Sequence, residues 1–388
     1  MRPHNDNNVY ILGAGFSAEA GLPLISSFLA RMRDAADWLE NNDRSDERTA
    51  IERVLRFRHE SAAAGYRINI DLDNIEHLFS LADAGPSIAS TEDICLAIAA
   101  TIDFAGQSKL PIGRLRVSQT MGWPCTQLWR RTAVRCSPAS PDDFEDVESS
   151  RYDYYVAILS GLVSNTTDAG KNVVITLNYD LVVEEALRRF NVPITYALTG
   201  PGVEIESDAE ISAVGTGGFQ ILKLHGSVNW AQKESGAILV CRDYQSLRSR
   251  RLTPLLIPPT WRKSAGEAIQ AVWDAAVRAI STATRIILIG FSIPSTDQHF
   301  KYLLSVGLKD NSSLRLVRIV DPRARELRGQ YETVFREDQF KYGIVDVRDK
   351  RADEFFYDEA EIVSIARPLR HPGLSLVDDG RGNRIERR

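Results

Sequence analysis

The chain is 388 residues long, 44% hydrophobic and 26% charged, with a formal net charge of −5. That length holds one large domain or two to three average ones, with apolar material for a full core, and the mildly acidic balance leaves direct nucleic-acid binding unindicated. The chain has no apolar run long enough to span a membrane and its polar start, MRPHNDNN, lacks the apolar stretch of a secretory signal, so a cytoplasmic protein without membrane segments is expected.

The first element is the stretch VYILGAGFSAEAGLP at 9–23. A short apolar run meets two glycines and then turns helical, the outline of a strand feeding a loop at a helix N-terminus, where backbone N–H groups favour a phosphate. Gly13 and Gly15 can take positive φ and admit a close approach, Ala14 and Phe16 lie between and beside them, and Ser17 offers a hydroxyl. A glycine-rich turn without a ligand gives the same pattern. The loop has no Gly-Lys-Ser/Thr, which argues against triphosphate hydrolysis, and Asp34, Asp37 and Glu40 fall near the position of a dehydrogenase's ribose-binding acid but within text that is still helical.

From about 41 to 150 the texture changes: charged helical text, then DLDNIEHLFSLADAG with Ile75, Leu78, Phe79 and Leu81 at helical spacing, then a Gly-, Pro- and Ser-rich stretch from 106 to 148 expected as loops. We read 41–150 as a mainly helical insertion. Periodic text resumes with RYDYYVAILSGLV (helix), KNVVITLNYD (buried strand) and LVVEEALRRF (helix). Further strands are expected in FQILKLHG, AILVC, RIILIGFS and SLRLVRIVD, with a helix in EAIQAVWDAAVRAI. Strands alternating with helices, several as unbroken apolar runs, predict an α/β fold: a parallel sheet covered by helices on both faces, with ligands beyond the carboxyl ends of its strands. Residues 1–322 are expected to form this domain around the insertion, and 323–388 a C-terminal extension ending in a basic, frayed tail, GRGNRIERR.

Three more strand ends carry chemistry. TLNYD at 176–180 places Asn178, a donor and acceptor, two residues from Asp180, an acceptor when ionised; an Asx turn capping the next helix explains the same residues. KLHGSVNW at 223–230 puts His225 on a loop at the cleft, as a general base near neutrality or as a structural histidine. ILIGFSIPSTD at 287–297 runs a strand into Gly290 and Ser292, a ribose or phosphate contact or a plain turn with an Asp297 cap, and VDP at 320–322 ends another strand at Asp321, a ribose or adenine contact or a turn.

In this order the four motifs resemble the sirtuin family and its NAD-consuming relatives. GAGFSAEAGLP is similar to the family's glycine loop, TLNYD to its TQNxD motif, the His-Gly pair to its catalytic histidine, and GFS to its later strand end. Protein-deacylating sirtuins also carry a zinc module of two C-x-x-C pairs. Cys95, Cys125, Cys136 and Cys241 include no such pair, and Leu24, Ile25 and Ser26 stand where the family has Asp-Phe-Arg. The resemblance therefore narrows to the zinc-free bacterial branch that hydrolyses NAD in antiphage defence, with NIEHLFS, LHGSVNW and LLIPPTW (255–261) adding to it. It implies a Rossmann-like NAD-binding domain with NAD as substrate rather than cofactor and no metal. It also implies Asn178 and His225 as catalytic residues, and NAD contacts from Gly13, Ala14, Gly15, Phe16, Ser17, Asp180, Gly290, Ser292 and Asp321. A homo-oligomer or a HerA-type hexameric ATPase partner is the implied control.

Overall fold

The computed structural model describes residues 7–85, 87–107, 112–118, 123–124, 144–161, 172–198, 202–207, 211, 217–259, 267–293, 297–358, 361, 375–378 and 384–387. The first strand, β1 (Asn8–Leu12), runs into a short helix, α1 (Ala14–Ser17), and a 3-10 turn (Ala18–Ala20). Helices α2 (Ile25–Glu40), α3 (Ser45–Glu60), α4 (Ala62–Arg67), α5 (Ile75–Ala84) and α6 (Thr91–Gly106) follow. α5 and α6 start where a side chain takes an orphan N–H: the Asn74 side-chain carbonyl accepts from Glu76 N at 2.9 Å, and Ser90 and Asp93 cap one another's backbone.

The stretch expected as loops from 106 to 148 contains three antiparallel strands, β2 (Ile112–Ser118), β3 (Trp123–Pro124) and β4 (Phe144–Ser150). Their alternation is short and set among charges and prolines, which hid it. Cys125 and Cys136 lie outside the described residues.

The main sheet is built from β1, β5 (Asn172–Thr176), β6 (Ile194–Thr195), β8 (Phe219–Lys223), β12 (Arg285–Ile289), β13 (Leu316–Asp321) and β14 (Val345–Asp349), in the spatial order β14-β13-β12-β1-β5-β8-β6. Every pairing in it is parallel. All residues of β1, β12 and β13 are buried, so both faces are covered, as the unbroken apolar runs require. Helices Arg151–Leu159, Val182–Arg189 and Ala352–Tyr357 form one packed group and helices Glu267–Ser281 and Gln298–Leu308 another. The fold is the expected Rossmann-like parallel sheet. The segment after 322 is not all outside it, because β14 closes one edge.

AILVC does not join this sheet. Its strand, β10 (Ile238–Val240), lies in a separate four-stranded sheet with β7 (Val203–Ile205), β9 (Gly226–Gln232) and β11 (Pro254–Leu256). Only a tight turn at Gly236 (φ +83°) separates β9 from β10, and such a turn makes an antiparallel pair, whereas a parallel neighbour needs a crossover of a dozen residues or more. At the C-terminus β15 (Ser375–Asp378) and β16 (Arg384–Arg387) pair antiparallel, so part of the tail expected to fray is a strand; residues 380–383 and 388 lie outside the described set.

Two cores meet at the sheet's carboxyl edge. One surrounds the sheet. The second joins α2, α3, α5 and α6 to Leu181, Val228, Tyr244 and Leu256, residues on or beside the loops that carry TLNYD and LHGSVNW. The helical layer thus begins at α2 and rests on those loops. Among the described residues no helix is long and apolar enough to cross a membrane.

Candidate active site

The chain leaves β1 toward β5 on one side and returns through β12 on the other, so the strand order reverses at β1. Loops leaving neighbouring strands in opposite directions open a crevice there, the usual ligand position of such sheets.

The glycine loop lies in this crevice, but its glycines serve another purpose than the one the sequence suggests. Neither Gly13 (φ −106°) nor Gly15 has positive φ. Their N–H groups donate to Ile289 O (3.1 Å) and Gly290 O (2.9 Å), and Phe16 N donates to Gly13 O at 3.0 Å. A Cβ on Gly13 would stand 2.5 Å from Gly290 O, one on Gly15 2.8 Å from Gly290 Cα, and one on Gly290 2.3 Å from Phe16 N. Three glycines therefore let two loops touch backbone to backbone, and the left-handed residue is Gly290 (φ +62°). Helix α1 is also only one turn long, too short for the dipole argument made from the sequence. Phe16 and Ser17 are buried behind the loop, while Ala14 and Gly15 face outward, half-buried.

Gly290→Ala follows as a test of this packing. Overpacking and left-handed strain together should cost roughly 2–4 kcal/mol, read by urea denaturation, whereas a loss under about 0.5 kcal/mol would contradict the described contact.

Asn178 closes the loop from the β5 side. Its Nδ2 donates to Gly13 O (2.9 Å) and to Ser17 Oγ (3.0 Å), and its N–H bonds Thr176 Oγ1 (3.1 Å). Ser17 in turn donates to the Asp180 carboxylate. Asn178, Ser17 and Asp180 thus form one hydrogen-bonded run from the glycine loop to the start of helix Val182–Arg189. The Asx turn is present too, Asp180 Oδ1 accepting from Val182 N at 3.1 Å.

Burial pushes the Asp180 carboxyl above the usual carboxylate range, against the opposing effects of Lys223 and of its two hydrogen bonds. Folding therefore favours its protonated form. That contribution is complete below the unfolded-state value near 4 and is lost as pH rises through the raised value. Asp180→Asn, which keeps the shape without the charge, should gain stability relative to the parent as pH rises from 4 to 8, with little difference at pH 4; melting curves across that range that stay parallel would contradict this.

His225 sits on the turn between β8 and β9 and is 6% exposed, with the Tyr179 ring 6.3 Å away centroid to centroid. Its turn is sewn to the TLNYD loop by Leu224 N to Thr176 O (3.0 Å), Val228 N to Tyr179 O (3.1 Å) and Ser227 Oγ to Tyr179 O (3.5 Å). From behind, Trp273 Nε1 holds Leu224 O at 3.0 Å.

On the far side, Gly290 N donates to Val320 O (2.9 Å), which brings Ser292, half-buried, and Asp321 alongside the glycine loop. Asp321 starts the turn that the sequence allowed, its Oδ1 accepting from Arg323 N at 2.8 Å, and burial raises its carboxyl. Asp297 caps helix Gln298–Leu308 through Phe300 N (3.2 Å); residues 294–296 lie outside the described set. All four motifs, and Asp321 beside them, lie at the carboxyl ends of strands that are neighbours in the sheet, β13, β12, β1, β5 and β8.

The sequence reading missed Lys223. Its ammonium is 1% exposed and bonds Glu184 Oε1 (3.0 Å), Tyr179 O (3.4 Å) and Asp180 O, while Tyr196 OH donates to the same Glu184 oxygen at 3.1 Å. The signal was there: a lysine inside an apolar strand is never idle, because three buried donors need three acceptors. Among the described residues no group of three or more His, Cys, Asp or Glu could hold a metal, and Cys95 and Cys241 are buried thiols far apart in the chain.

Residues 172–340 match the family model of the SIR2-like domain. This stretch includes TLNYD, LHGSVNW, GFS and VDP, and excludes the glycine loop. No curated protein matches the chain. Among solved structures, a Sir2 homologue mutant in complex with 2′-O-acetyl-ADP-ribose is 12% identical, with 92% of this chain and 91% of that chain covered and a TM-score of 0.41. A Sir2 complex with a p53 peptide and NAD is 10% identical, with 92% of each covered and a TM-score of 0.37. A Sir2 enzyme studied for mechanism and regulation is 11% identical, with 92% and 91% covered and a TM-score of 0.38.

Proposed function

We propose that the crevice binds NAD and hydrolyses its nicotinamide–ribose bond, giving nicotinamide, ADP-ribose and a proton. The observation that carries this is the Asn178–Ser17–Asp180 run bonded to Gly13 at the strand-order reversal, with His225 on the adjoining strand end. The SIR2-like match over 172–340 supports NAD as the molecule.

In this reading the pyrophosphate lies against the outward face of the loop, Ala14 and Gly15, with Gly13, Phe16 and Ser17 fixing the loop's shape from behind. Gly290, Ser292 and Asp321 border the distal ribose. Nicotinamide is cationic in NAD and leaves as a neutral base, so no strong acid is needed. The protein must orient the ribose, stabilise the developing oxocarbenium charge and deliver water. The Asp180 carboxylate, when ionised, supplies the nearby negative charge. Asn178 orients the water or the ribose hydroxyls, and His225 takes the proton. NAD is the substrate, and no metal takes part in the steps these residues perform.

The wider reading, that NAD depletion serves antiphage defence and is released by homo-oligomerisation or by a HerA-type ATPase, rests on the resemblance of NIEHLFS, LHGSVNW and LLIPPTW. α5, which begins in the first of these, shares a core with Leu256 and Val228, so a partner bearing on the helical layer would press on the catalytic loops.

Labelled water separates hydrolysis from its rivals. In H₂¹⁸O the ADP-ribose should carry the label at the ribose carbon that bore nicotinamide. ADP-ribosylated protein or an acyl ester in place of free ADP-ribose would identify a transferase or deacylase. Binding of ADP-ribose with no turnover of NAD would identify a sensor.

A further inference from the structure

The glycine loop is gripped by a segment far along the chain. Glu19, in the 3-10 turn two residues after Ser17, accepts from Tyr155 OH at Oε2 (2.9 Å) and from Asp353 N at Oε1 (3.2 Å). Arg151 reaches both carboxylates, at 3.9 Å from Glu19 and 3.2 Å from Asp353. Below them Phe16 of the loop is buried against Tyr152, Tyr155 and Phe356, ring centroids 5.4, 6.1 and 6.3 Å away, and Phe356 stacks on Tyr155 at 4.5 Å. Tyr152 OH donates to Phe16 O at 2.7 Å. Asp353 and Phe356 belong to helix Ala352–Tyr357, which β14 delivers to this face from the sheet edge.

We propose that Glu19 and Phe356 are positioning residues for the substrate: they clamp the glycine loop to helix Ala352–Tyr357, so the segment after β13 is part of the NAD site. The proposal rests on the NAD reading for its substrate but on the contacts alone for its clamp. The Glu19 carboxyl adds a hydrogen bond between two elements that also meet through rings, and its side chain lies at the loop's outer end, 16% accessible. Loss of the clamp leaves His225 and the β5 strand end that carries Asn178 in place while the loop samples other shapes, so binding suffers more than chemistry.

The test uses the full-length protein as parent, Glu19→Ala, Glu19→Gln and Phe356→Ala. Two readouts are taken: amide exchange over 14–20, and KM against kcat for NAD with parallel ADP-ribose titration. Glu19→Ala and Phe356→Ala should exchange at 14–20 roughly tenfold faster or more than the parent, and raise KM and the ADP-ribose Kd by a similar factor, with kcat within about threefold. Glu19→Gln, which keeps an acceptor, should recover part of both. Unchanged exchange at 14–20 overturns the clamp whatever the protein does with NAD. Faster exchange with unchanged KM and Kd overturns its positioning role. Faster exchange in a protein whose parent neither binds ADP-ribose nor cleaves NAD supports the clamp and overturns the NAD reading instead.

Discussion

His225→Ala and Asn178→Ala should each lower NAD cleavage by about two to four orders of magnitude while the protein stays folded. The two losses have different physical sources. His225 is on a turn whose backbone is held independently of its ring, by Leu224 N to Thr176 O and by Ile257 N to His225 O at 2.8 Å. Removing the imidazole leaves those bonds intact, so the fall should appear in kcat with a modest change in KM. Asn178 bonds Gly13 O and Ser17 Oγ, and its removal breaks both bonds while Phe16 N still donates to Gly13 O, which adds about 1–2 kcal/mol of destabilisation to the catalytic loss. Asn178→Ala should therefore show both a lower melting temperature and a raised KM. Steady-state kinetics beside thermal denaturation checks both. A His225→Ala protein that unfolds, or that cleaves NAD at the parental rate, would return this histidine to a structural role.

Lys223→Met should be the most destabilising single change in the site, by about 3–5 kcal/mol in chemical denaturation, because it leaves the Glu184 carboxylate, 2% exposed, without its cation. Tyr196 OH alone cannot balance a buried charge, and the Tyr179 and Asp180 carbonyls each lose one donor as well. Removing both charges should be milder: Lys223→Met with Glu184→Leu should recover part of the stability, since a well-packed apolar pair avoids the desolvation cost. Activity should not return with it. Lys223 is the group that holds the backbone on which Asp180 and Asn178 are mounted, and its positive charge favours the ionised Asp180. A double variant that regains stability and also full turnover would show that the buried pair serves folding alone.

These effects explain what could be read in the letters and what could not. The unbroken apolar runs VVI, buried from Val174 on, and IILI, buried throughout, announce a parallel sheet because their period matches their environment, and residues at their ends fall at the strand-order reversal by topology. TLNYD and LHG were legible for that reason. The purpose of the glycines was not: Gly290 lies hundreds of residues from Gly13 and Gly15 in the chain, and only their mutual contact shows that the approach of two loops requires the missing side chains. AILVC reads like its neighbours in the sheet, and only the tight turn before it decides its partner. Lys223 and Glu184 look like ordinary charges until burial makes them a pair. The Glu19–Asp353 contact spans 334 residues and leaves no local trace.

The most direct measurement is the product balance of the purified full-length chain incubated with NAD, alone and then with a HerA-type ATPase and DNA, beside Asn178→Ala shown to be folded. The account predicts nicotinamide and ADP-ribose in equal amounts from the parent and neither from the variant. No release from the parent in any of these mixtures, or release that Asn178→Ala leaves untouched, would contradict it.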